Sequence, residues 1–233
     1  MRYLIIGLGI YGENLARDLT ANGHEVIGCD SSRSRIDSIK DDLASVYLID
    51  STEETQLMVL PLKNVDVVIV AIGENFGASV KTVALLKKAG VEHIFARAID
   101  RLHEAILDGF DIDRILTPEQ TAATILATEL DFGKSIRAMK VDENHVIMTV
   151  FAPSHLVGLA YSELRDSLST DFGITFITAC RSTEKRNVLG IRQNDRLMID
   201  FSGPDPVFVD KSDTITILGA RKSIHALARR LAN

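Results

Sequence analysis

The run Gly7-Leu8-Gly9-Ile10-Tyr11-Gly12 restricts the fold more than any other feature of the chain. A GxGxxG pattern alone carries little information, because glycines recur by chance. Here it follows a short apolar run, Arg2–Ile6, and opens an amphipathic segment, Tyr11–Asn22, with Leu15 and Leu19 on one side and Glu13, Arg17 and Asp18 on the other. In that setting the glycines divide the labour: Gly7 for the tight turn, Gly9 for close approach of a pyrophosphate, Gly12 for packing of helix on sheet. The free N–H groups and dipole of the helix start then favour phosphate. Asp30 ends the next apolar segment, where a carboxylate can accept hydrogen bonds from an adenosine ribose. It would repel a 2′-phosphate, which disfavours NADP, although Arg33 and Arg35 stand nearby.

The pattern continues as an alternation of strands and helices. Strands are predicted at Glu25–Cys29, Ser45–Ile49, Val65–Ile72, Glu92–Ala98 and Arg114–Leu116. Helices are predicted at Arg33–Leu43, Thr52–Leu60, Ser79–Ala89 and Arg101–Asp108, with Gly23 and Gly90 as C-caps. Runs of Val and Ile without alternation indicate strands covered on both faces. The expected fold is therefore α/β, a Rossmann-like doubly wound parallel sheet. Open sheets of this kind bind ligands at the carboxyl ends of their strands. That places Asp50 and Ser51, then Ala71, Ile72, Gly73 and Glu74, then Arg97 on the rim of a site with Gly7, Leu8, Gly9, Ile10, Tyr11, Gly12 and Asp30.

Thr117-Pro118 begins a connecting helix, Glu119–Leu130, which should end at Gly133. Beyond it the pattern becomes β-rich. Strands are expected at Ile136–Val141, His145–Phe151, Ile174–Cys180, Arg196–Ile199 and Thr214–Leu218, with helices at Ala160–Leu168 and Arg221–Leu231. The expected division is residues 1–134 and a small α+β domain of residues 135–233.

Composition narrows the function. The chain has 233 residues, is 46% hydrophobic and 25% charged, and has no apolar run near the roughly 20 residues a membrane span needs. No secretory signal pattern opens it, so a soluble, cytoplasmic protein is expected. The net charge is −6, carried entirely by residues 1–140; no basic stripe suggests a nucleic-acid partner. Cys29 and Cys180 read as small buried apolar residues, and the six histidines have no metal-ligand spacing. His145 and His155 lack an evident carboxylate partner. With no catalytic motif in the second half, binding is favoured over turnover.

Seven motifs, in two sets, resemble a known family. In the first half they are Tyr3–Gly12, His24–Asp30, Val67–Glu74 and Arg114–Glu119; in the second, Leu156–Leu164, Gly173–Ala179 and Asp210–Gly219. Together they resemble the cytoplasmic gating subunits of bacterial Ktr/Trk potassium uptake systems, with an RCK N-terminal (TrkA-N) domain followed by a TrkA-C domain. The resemblance implies a homodimer assembled into an octameric ring beneath a membrane-embedded potassium-translocating subunit. It implies a location on the inner face of the membrane through that partner, and gating by an adenine nucleotide, ATP or ADP in preference to NAD(H). It adds Ser31 and Arg35 to the nucleotide site and gives Glu119 a divalent cation such as Mg²⁺ near the ATP phosphates. Cyclic di-AMP is implied near Leu156–Arg165. Two positions depart from the pattern: Ile10 stands where ATP-preferring members often carry arginine, and Ile49-Asp50-Ser51-Thr52 replaces the usual Gly-Asp-Ala-Thr. An NAD-dependent oxidoreductase with a minimal substrate domain and a stand-alone nucleotide sensor are the alternatives.

Overall fold

The apolar run Arg2–Ile6 forms strand β1, with β2 (Glu25–Asp30) and β4 (Val67–Val70) as its two parallel neighbours. Strands β3 (Ser45–Leu48), β5 (Ile94–Arg97) and β6 (Arg114–Leu116) extend the sheet to the order β3-β2-β1-β4-β5-β6, parallel throughout. The computed structural model describes residues 1–132, 135–186 and 192–232. They fall into two units, Met1–Gln120 and Thr121–Asn233.

Successive residues of the central strands feed opposite layers, as the two-residue period of a strand requires. Leu4, Ile6, Ile27, Val68 and Val70 enter one core with Leu57, Val83, Leu86 and Leu107, from helices α3 (Glu54–Leu57), α4 (Phe76–Lys88) and α5 (Arg101–Asp108). Ile5, Val26, Val67 and Ile69 enter the other with Ala16, Ile36 and Ile39, from α1 (Ile10–Ala21) and α2 (Arg33–Ile39). Burying one such aliphatic side chain is worth about 1.5–3 kcal/mol. An exposed pair such as Lys88–Glu54 is worth about 0–1 kcal/mol. The two apolar layers therefore hold this sheet.

Several elements differ in length from their expected ranges. Helix α2 stops at Ile39, and the following turn seats Leu43 against Gly28, whose missing side chain leaves room for it. Helix α3 is a single turn. Asp50 Oδ1 accepts from the Thr52 amide and hydroxyl, which holds the preceding residues in a turn, and Pro61 stops the chain four residues after Leu57. Helix α4 starts three residues early because the Asn75 side chain caps it, accepting from the Ala78 amide. Gly23 and Gly90 have φ of 82° and 77°, as their capping role demands.

Helix α6 (Pro118–Asp131) carries the chain from the first unit into the second. The first compact unit ends at Gln120, within this helix. Gly133, its expected terminator, lies outside the described residues. The second unit is an antiparallel sheet in the order β10-β9-β11-β8-β7, from β7 (Ser135–Lys140), β8 (His145–Phe151), β9 (Thr175–Arg186), β10 (Arg192–Met198) and β11 (Asp213–Ala220). Helices α7 (Tyr161–Phe172) and α8 (Arg221–Ala232) supply Leu164, Leu168, Ile224 and Leu227 to its core. Strand β9 runs six residues beyond its expected end at Cys180, and β10 begins earlier than expected. Their polar residues pair by ladder hydrogen bonds and show no apolar alternation.

Asp213, the first residue of β11, is fully buried. It accepts from Arg181 Nε (2.7 Å) and Nη2 (2.8 Å), Tyr161 Oη (2.8 Å) and the Asp210 amide (2.8 Å). Burial pushes its carboxyl up, but the Arg181, Asp210 and Tyr161 bonds outweigh burial and hold its pKa below the usual aspartate value. Such a depressed folded pKa gives stability that is complete above the unfolded pKa and lost as pH falls through the folded one. Asp213→Asn should cost about 1–3 kcal/mol near neutral pH, since it breaks buried hydrogen bonds while the half-exposed Arg181 stays within reach of water. The gap from wild type should narrow as melts are taken below about pH 4; a gap constant from pH 7 to 3 would refute this account.

Candidate functional site

The end of β1 turns through Gly7 (φ 97°), whose amide donates to the Cys29 carbonyl at 2.8 Å. A Cβ at position 12 would overlap the Gly7 carbonyl oxygen, so only glycine lets α1 approach the turn this closely. Ala71 and Ile72 complete the seat: Ile72 lies 3.1 Å from where a Cβ on Gly7 would be, and Ala71 3.2 Å from one on Gly12. Gly9 is the N-cap of α1 and offers no side-chain cap. The next amides, on Ile10, Tyr11 and Gly12, belong to the first turn, whose N–H groups have no intrahelical acceptor. The nearest atom to a Cβ built on Gly9 is Arg35 Nη1 at 3.9 Å, so the space in front of this backbone is open. Ile10 stands at its lip, 87% exposed.

Asp30, at the end of β2, has a more internal role than its position alone predicts. Its Oδ2 accepts from the Leu8 amide at 2.7 Å and its Oδ1 from the Ser32 amide at 2.8 Å. The carboxylate thus fastens the glycine turn to the neighbouring strand. Ser31 is exposed beside it. Arg35, from α2, reaches Asp30 Oδ2 at 3.5 Å and both Glu74 oxygens at 2.9 Å. Arg35 and Glu74 therefore bridge the mouth of the crevice, one from each side of β1.

The remaining rim residues separate into two groups. Asp50 takes its bonds from Thr52, which hold its pKa low. The Ser51 hydroxyl is buried and paired with Thr82 at 2.9 Å, so its side chain ties β3 to α4. Arg97, at the end of β5, is the most confined cation of the rim. Its guanidinium lies over the Tyr11 ring (5.8 Å to the centroid), sits against Gly73, and pairs with Glu119 on the first turn of α6. Burial raises the Tyr11 pKa, opposed by Arg114 and Arg97. Thr82 and Asn75 were not among the expected site residues. Asn75, just ahead of Phe76-Gly77-Ala78, carries a legible capping signal.

Elsewhere, Cys29 is buried, and burial followed by the Asp30 charge pushes its thiol up, away from reactivity. His145 does have a partner, Asp142, at 2.9 Å. Among the described residues no helix is long and apolar enough to cross a membrane.

A parallel sheet in this order, with a glycine turn after β1 and an acidic residue closing β2, defines a Rossmann-type chain. Residues 3–118 match the TrkA-N domain. The chain is 31% identical over 182 residues to Ktr system potassium uptake protein C of Bacillus subtilis, covering 78% of this chain and 81% of that protein. It is 25% identical over 223 residues to Ktr system potassium uptake protein A of the same organism, covering 96% and 93%. The protein belongs to the TrkA-N family and is a relative of the Ktr proteins. The RCK domain of GsuK shares its fold, with a TM-score of 0.61 at 12% identity over 100% of this chain and 48% of that one.

The Asp30 bonds make a direct prediction. Asp30→Ala strands the buried Leu8 amide and should cost about 1–3 kcal/mol, with faster hydrogen exchange at Leu8 and Ser32. Unchanged exchange at Leu8 would show that the carboxylate does not hold the turn.

Proposed function

We propose that this protein is a non-enzymatic regulatory subunit that binds an adenine nucleotide at the carboxyl edge of its first sheet and so controls potassium uptake through a membrane-embedded partner. The observation that carries the reading is the open backbone before Gly9, with unpaired first-turn amides above and Asp30 closing β2. Phosphates fit the amides and the helix dipole. The Asp30 carboxylate keeps acceptor capacity for a ribose hydroxyl beyond its two amide bonds. The names of the Ktr relatives supply the potassium uptake.

Binding rather than turnover suits the acid–base groups of the crevice, because each is already engaged: Asp30 with amides, Glu74 with Arg35, Glu119 with Arg97. ATP, ADP and NAD(H) share the diphosphate and ribose that this edge would recognise. Exposed Ile10 gives a third phosphate no charge to meet, which favours ADP or NAD(H) over ATP.

Self-association into a dimer and then an octameric ring is supported by α6. It has no buried residue in the single chain and exposes Ile125, Leu126 and Leu130. We assign the second unit to the TrkA-C type, with cyclic di-AMP near Leu156–Arg165 as its candidate ligand. The alignment to the uptake protein A supports this by running through nearly the whole chain. The location is cytoplasmic, held at the membrane through the partner. A nucleotide shifts such an assembly only by its differential affinity for two states. About 5.5 kcal/mol, summed over the sites of a ring, would carry it from mostly closed to mostly open.

The test is a thermal-shift titration of nucleotide-stripped protein. At a hundredfold excess over Kd, a ligand should add about 2.7 kcal/mol of stability. Gly9→Asp should melt like wild type without ligand, since space is open there, yet lose the shift. Wild type with no shift for ATP, ADP, NAD⁺ or NADH would sink the proposal; steady turnover of NADH would replace it with an oxidoreductase.

A further inference from the structure

Glu119 is the position at which a divalent cation would be expected, and its surroundings do not fit one. Its carboxylate is paired with the Arg97 guanidinium. That guanidinium is fixed by contacts that do not involve Glu119. It lies over Tyr11 and packs so closely on Gly73 that a Cβ there would overlap it. The Arg97 side chain is 19% exposed against 64% for Glu119, and among the described residues the buried Arg97 Nε has no hydrogen-bond partner. The arginine is thus the anchored member of the pair, and the glutamate comes to it.

A dication at Glu119 would sit beside a positive charge that cannot easily move away, and the two would repel. It would also take the carboxylate from a guanidinium already short of one acceptor, leaving a half-buried charge unpaired.

We infer that Arg97 is the resident cation of this site: it neutralises Glu119, keeps divalent ions from it, and makes nucleotide binding independent of metal. The nucleotide part of this rests on the function proposed above; the exclusion of metal does not. The phosphates of a bound nucleotide would compete with Glu119 for Arg97, so ligands that need no metal, NAD(H) and ADP, are the class this arrangement selects.

The experiment uses the full chain as wild type, Arg97→Gln, Arg97→Lys, Glu119→Gln and the double Arg97→Gln/Glu119→Gln variant, each with its melting curve as a folding control. Mn²⁺ binding is followed by loss of the free-ion electron paramagnetic resonance signal. Calorimetry then gives NAD⁺ and ADP affinities in Mn²⁺ and in EDTA. Wild type should show no Mn²⁺ site that Glu119→Gln removes. Arg97→Gln should gain one, about tenfold tighter or more once the repulsion is gone. The double variant should lose that site, and Arg97→Lys, which keeps the charge, should not gain it. Wild-type NAD⁺ affinity should agree within about twofold between Mn²⁺ and EDTA, as expected where no metal bridges ligand and protein. A Glu119-dependent Mn²⁺ site in wild type, or none gained in Arg97→Gln, would overturn the inference. Failure of wild type to bind either nucleotide would overturn the proposed function and the metal-independence together, while the Mn²⁺ comparison still decides whether Arg97 guards Glu119.

Discussion

Helix α1 reaches the end of β1 only because position 12 carries no side chain. The Gly7 carbonyl occupies the space that any Cβ there would need. This one approach sets the direction of the helix and leaves its first amides facing outward at the carboxyl edge of the sheet. Asp30 then fixes the turn from the next strand by holding the Leu8 amide. The two apolar layers supply most of the stability of this unit, while a single excluded methyl decides where its polar groups face.

The first sheet was legible in sequence because strands covered on both faces need apolar residues at every position. Val67–Val70 is buried throughout and reads as an uninterrupted run. Helix lengths were less legible: α2 and α3 are cut short by turn contacts, Leu43 into the gap at Gly28 and Thr52 onto Asp50. The outer parts of β9 and β10 gave no signal at all. Residues such as Glu184 and Asn194 belong to strands through backbone pairing, which no side-chain pattern announces.

The candidate site divides in the same way. The positions of its glycines and of Asp30 were legible from spacing, since the local strand–turn–helix geometry sets them. What those residues touch was not. Arg35 meets Glu74, Ser51 meets Thr82 and Arg97 meets Glu119 across long stretches of chain, and only the folded sheet brings their strand ends together. The buried Asp213 cluster in the second unit was hidden for the same reason: Tyr161, Arg181 and Asp213 lie far apart in the chain, and the last two fall just outside the expected strands Ile174–Cys180 and Thr214–Leu218.

The contact between Gly73 and the Arg97 guanidinium ties two positions together in the protein's history of change. A lineage that gains a side chain at 73 first must push the arginine off Tyr11 and Glu119, and so loses what that arginine does. One that first shortens residue 97 can then fill position 73 without a clash. Replacement is therefore passable in one order and obstructed in the other, and among relatives glycine at 73 should persist wherever a long cation persists at 97.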